Sequence, residues 1–124
     1  MTGDYRDRVP TRTAVPDTAL AAIRRYCNNR VPPQHRDEIR VEYDVRGKSV
    51  TIYECRPPWH PDLGPTWLRQ RIAQLRYNPD DHYWRLFWPN RNGRWHPYDM
   101  REPTAQVAEL LGEIDADPTG IFWG

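Results

Sequence analysis

Apolar and polar positions alternate most clearly before the Asn92-Gly93 pair. There Trp84, Leu86 and Trp88 point to one side of an extended chain, and Tyr83, Arg85 and Phe87 to the other. Asn followed by Gly supplies the positive φ that a tight hairpin turn needs, and Pro89-Asn90-Arg91 just before it leaves room for a longer loop. Beyond the turn Arg94, His96 and Tyr98 alternate with Trp95 and Pro97. Pro97 has no ladder donor, so this last strand is expected to end there or to lie at an edge. The same period of two marks Ile39, Val41, Tyr43 and Val45. After Arg46-Gly47-Lys48 it predicts a return strand over Ser49–Arg56, with Val50 and Ile52 on one face and Tyr53 and Cys55 on the other. A third strand is expected within Trp67–Tyr77, where Ala73, Leu75 and Tyr77 form the apolar series and Gln74 and Arg76 face away. Asn78-Pro79-Asp80-Asp81-His82 is its turn into the central hairpin.

Two segments carry helical spacing instead. Leu20, Ile23 and Cys27 predict a first helix opened and capped by Asp17 or Thr18 and ended by Pro32-Pro33. Val107, Leu110, Leu111 and Ile114 give the stripe of a last helix, opened at Pro103-Thr104 and stopped by Pro118. The proline-rich stretch Pro57–Pro65 reads as a stiff loop that Trp59 and Trp67 pin to the body. Residues 1–16 read as a flexible polar arm. The expected architecture of 17–124 is a single α+β domain: helix, five-stranded antiparallel meander, C-terminal helix. The two helices cover one sheet face, and Ile121, Phe122 and Trp123 dock the tail on the body.

Composition narrows the function. Of 124 residues 18 are basic and 17 acidic, a balance that argues against a strongly electrostatic nucleic-acid binder but leaves a local patch open. All the basic residues but Lys48 are arginine, the better planar donor to phosphate. Codon bias would give the same excess. The N-terminal ten residues have no apolar core, and no run of about 18 apolar residues occurs anywhere, so a cytoplasmic protein without a membrane partner is expected. Reduced thiols are the natural reading for Cys27 and Cys55, while sequence alone leaves a disulfide between them open.

Several constellations compete. Arg76, Tyr83, Arg85, Arg94, His96 and Arg91 are candidates for one arginine–aromatic face that binds nucleic acid. The Arg56–Pro65 loop, the apolar tail and a free sheet edge suit a protein partner or a homodimer. A non-enzymatic protein-interaction module is the leading reading, because no catalytic constellation stands out. Asp44, Glu54 and Arg56 resemble the carboxylate pair and cation of metal-dependent nucleases, although arginine is a poor base. Cys55 and His60 with Cys27 or His35 lack the tight pairing of a structural zinc site, and no metal or cofactor is expected. His82 and His96, near Asp80, Asp81 and Asp99, suit turn and rim roles better than acid–base work, because no nucleophile accompanies them.

Ile23–Cys27 with Arg30–Pro33, Val41–Glu54, Arg56–Trp59, Ala73–Tyr77, Trp84–Trp88, Arg91–Trp95 and Glu113–Trp123 together resemble a bacterial family, the domain of unknown function 3024 family. The resemblance spans the chain after the arm. It implies no activity, cofactor or catalytic residue.

Overall fold

The computed structural model describes residues 14–124. Helix α1 runs Asp17–Arg30. It is followed by strands β1 (Arg40–Arg46), β2 (Ser49–Arg56), β3 (Leu68–Asn78), β4 (Tyr83–Pro89) and β5 (Trp95–Pro97), and by helix α2 (Val107–Ala116). The sheet is an antiparallel meander in chain order, with β1 and β5 at its edges. Pro97 therefore sits on an edge strand, where its missing N–H costs no ladder bond.

The register assigns the faces. Tyr43 lies opposite Ile52, Ile52 opposite Ala73, Leu75 opposite Leu86, and Tyr77 opposite Trp84. These residues share the face that α1 and α2 cover. The core there joins Ile23 and Cys27 of α1, Leu110 and Ile114 of α2, and Val50, Ile52, Leu75 and Trp84 of the sheet. Val15 belongs to it too, so burial begins before α1; the arm reading for 1–13 lies outside the described residues.

Helix entries differ from expectation. Neither Asp17 nor Thr18 caps α1. The Pro16 carbonyl accepts from the Leu20 N–H, and Pro16 itself, with φ −63°, is the cap. Its ring fixes that angle, which moves Asp17 into the first turn, beside the positive end of the helix dipole. At the other end of α1 Arg36 reaches back, its Nη2 donating to Asn28 O at 2.6 Å and its Nε to Val31 O at 3.3 Å. Thr104 does not open α2. Its N–H and C=O pair with Trp84, and its Oγ1 accepts from Gln106 N, so the helix starts at Val107. A bond to a distant strand has outcompeted the local helical one.

The tail docks as expected. Phe122 is buried against Tyr98, and the Trp123 indole N–H donates to Ile114 O at 2.9 Å. Asp117, left-handed at φ 44°, accepts from the Phe122 and Trp123 N–H groups. Trp67 holds the proline-rich loop through its stack with Arg40, but Trp59 is 81% exposed and pins nothing.

Cys27 and Cys55 are both free and buried, and they lie on different faces of the sheet. Burial, and then the charge of Glu42, pushes the Cys27 thiol up to about 12; the same causes raise Cys55. Thiolate is the reactive form. Neither cysteine is therefore expected to react with a disulfide reagent at neutral pH until denaturant is added. Rapid native-state labelling of either would contradict this packing.

Candidate functional site: an arginine–aromatic sheet face

The face opposite the helices is built by a break in alternation. The β2–β3 register passes from Ile52 opposite Ala73 to Tyr53 opposite Arg71, so Ile72 is an extra residue, a β-bulge. Ile72 and Ala73 both enter the core. The bulge shifts the phase of β3 by one residue, which puts Arg69 and Arg71 on the same open face as Gln74 and Arg76. The adjacent apolar pair Ile72-Ala73, flanked by out-of-phase arginines, is the sequence signal for it.

Across this face guanidinium groups lie over rings. Arg76 sits 3.8 Å from the Phe87 centroid, Arg69 3.9 Å from Tyr53, Arg40 3.9 Å from Trp67, and Arg71 6.0 Å from Trp95. Part of the charge is matched: Arg69 Nη1 lies 3.2 Å from Asp44 Oδ2, and Arg85 Nη2 lies 2.8 Å from Asp81 Oδ2. These contacts raise Arg69 and Arg85 and lower the Asp81 carboxyl, chiefly through the side-chain hydrogen bond in each case. Arg71 donates to the Gly93 carbonyl, Arg76 to Gln74, and Arg46 makes no ion pair among the described residues.

Of the residues expected to share this face, Arg76, Tyr83 and Arg85 do, with Arg76 directly opposite Arg85. Arg91 and Arg94 project from the loop between β4 and β5. His96 does not join them. It lies opposite Trp88, on the helix-side face, stacked on that ring at 4.8 Å and bonded to Asn90 at 2.7 Å. The loop itself is longer than a two-residue turn. Asn92 does not take positive φ, and only Gly93 does (+80°). Asn90 Oδ1 closes the loop by accepting from the N–H groups of Asn92 and Arg94. Gly93→Ala is expected to cost about 1–2 kcal/mol, because the left-handed region penalises a Cβ. The added methyl would also stand 3.3 Å from Arg71 Nη1 and displace that arginine. Thermal denaturation checks it; an unchanged midpoint would mean the loop adopts another turn.

The nuclease-like set is not assembled. Asp44 lies opposite Thr51 on the open face, whereas Glu54 lies opposite Val41 on the helix side and pairs with Arg56 at 3.2 Å. Strand alternation places the two carboxylates on opposite faces, so they cannot share one cation. His82 sits in its turn bonded to Tyr77. Among the described residues no three His, Cys, Asp or Glu side chains converge as metal ligands, and no helix is long and apolar enough to cross a membrane.

The architecture defines a two-helix α+β domain that leaves one face of a five-stranded antiparallel sheet open. By sequence the chain belongs to the DUF3024 family, described as a domain of unknown function, whose model matches residues 12–124. No protein of curated function and no solved structure gives a match.

Proposed function

We propose that the open sheet face binds single-stranded nucleic acid, with arginines on the phosphates and stacked planes beneath the bases. The observation that carries this is the gathering of four arginine–ring contacts, at Trp67, Tyr53, Trp95 and Phe87, on one face. A guanidinium over a ring offers a planar stacking surface and a phosphate-binding charge together. The near-neutral net charge is no obstacle, because the arginines on this face outnumber its carboxylates Glu42, Asp44 and Asp81. The tail, which would have favoured a protein partner had it covered this face, bonds instead to Ile114 and Asp117 around α2. The separation of Asp44 from Glu54 supports a binding role over the nuclease reading.

Fluorescence anisotropy with a labelled single strand tests this. Binding in the micromolar range is expected at low salt. For the Arg71→Ala, Arg76→Ala double variant the slope of log K against log salt should fall by about 1.4, two single-strand phosphate contacts. Absence of binding at low salt would overturn the proposal.

A protein partner is the second reading, and it rests on a different place. Trp59 and Leu63 of the proline-rich loop, with Leu68 just after it, are exposed.

A further inference from the structure

A groove of about 400 Å³ crosses the open face, lined by Asp44, Thr51, Tyr53, Arg71, Gln74 and Trp95, with Arg46 at its margin. Its floor holds one unusual group. Thr51, 9% exposed, is the buried polar residue among the described ones. Its Oγ1 accepts from Gln74 Nε2 at 2.9 Å, and Gln74 Oε1 in turn accepts from Arg76 Nε at 2.6 Å. A hydroxyl that already accepts still has its own proton to donate. Among the described residues no acceptor takes that proton, and the charged end of the relay polarises it.

Directly across the strand pair stands Asp44. Its Oδ2 is engaged by Arg69, and each carboxylate oxygen can accept more than one hydrogen bond. The groove thus presents a hydroxyl donor beside an acceptor-only carboxylate, on neighbouring strands, with Tyr53 and Trp95 as ring walls and Arg71 as a cation.

We infer that this groove reads a guanine base. Guanine presents a carbonyl oxygen (O6) beside two adjacent donors, N1–H and the 2-amino group. The Thr51 hydroxyl donates to O6, Asp44 accepts from both nitrogens, a ring wall stacks the base, and Arg71 meets its phosphate. Uracil offers a single N–H between two carbonyls, so its second oxygen would face the carboxylate. Adenine and cytosine put an amino group where the carbonyl should be. The inference rests on the nucleic-acid reading of the face and adds base selectivity to it.

The test uses the full chain and labelled strands of equal length, uridine-only or with guanine at alternate positions, with guanosine monophosphate as the free-nucleotide arm. The guanine strand is expected to bind about tenfold tighter than the uridine strand, the scale of one bidentate base contact. Inosine, which lacks the 2-amino group, should fall between them. In Asp44→Ala the guanine-to-uridine ratio should drop to near one; circular dichroism confirms the fold of this exposed-site variant. Equal binding of both strands by the unaltered chain, or a preference untouched by Asp44→Ala, overturns the guanine inference while the strand-binding proposal stands. Binding of guanosine monophosphate with no strand bound supports the groove as a nucleotide site and overturns strand binding. Failure of every ligand overturns both.

Discussion

Replacing Trp84 by alanine is expected to lower the stability of the domain by about 3–5 kcal/mol, the range for truncating a buried tryptophan or phenylalanine. Trp84 is 1% exposed, the largest of the fully buried side chains. It lies opposite Tyr77, whose ring centroid is 5.1 Å away, on the face that α1 and α2 cover. Its backbone also makes the paired bonds to Thr104 that set where α2 begins. The indole could not be removed without a cavity under the strand that anchors the approach to α2. A domain of this size has only about 5–15 kcal/mol to lose. Urea denaturation followed by far-ultraviolet circular dichroism would show the midpoint falling steeply, with Trp84→Phe between the two. A loss below about 1 kcal/mol would mean that Trp84 lies outside the core.

The second large effect is expected at Asp117. Its carboxylate accepts from Phe122 N at 3.0 Å and Trp123 N at 2.8 Å, and its own N–H donates to Glu113 O at 2.9 Å to end α2. Aspartate tolerates φ 44° better than most residues, because its short polar side chain bonds locally. Asp117→Ala removes the acceptor of two backbone donors and raises the cost of the left-handed cap. Hydrogen bonds to charged groups contribute about 1.5–3 kcal/mol each, and the released donors regain water, so a net loss of about 3 kcal/mol is expected. The local effect is sharper. The tail should leave the body, exposing Phe122 and freeing the Trp123 indole from Ile114. Carboxypeptidase digestion should then trim the variant faster than the unaltered chain, and Asp117→Asn, which keeps an acceptor and left-handed tolerance, should lie closer to the parent. Equal digestion rates for Asp117→Ala and the parent would show that the apolar contacts hold the tail alone.

Much of the architecture could be read in the chain because it depends on local geometry. Side chains alternate along any strand, so the outward set of Tyr83, Arg85 and Phe87 and the inward set of Trp84, Leu86 and Trp88 follow from spacing. The same holds for the helical stripe Val107, Leu110, Leu111 and Ile114, which is buried along its length. The site was less legible. Alternation brings out Arg76, Tyr83 and Arg85 but does not reach Arg69 and Arg71, because the Ile72 bulge reverses the phase of β3 midway. Alternation with the apolar Trp95 predicts His96 on the open face, but the register turns Trp95 to that face and His96 to the helix side. Its opposition to Trp88 decides the matter.

The sequence by itself determined the order of the elements, the two hairpin regions, the covered face and the docking of the apolar tail, because each rests on a periodicity or on apolar residues that water disfavours. Only the tertiary structure decided which arginines stand together, that Thr51 and Asp44 share one groove while Glu54 turns away, and that α2 starts after Thr104. Those outcomes depend on hydrogen-bond register between segments distant in the chain. A single extra residue in one strand moves every side chain beyond it to the other face.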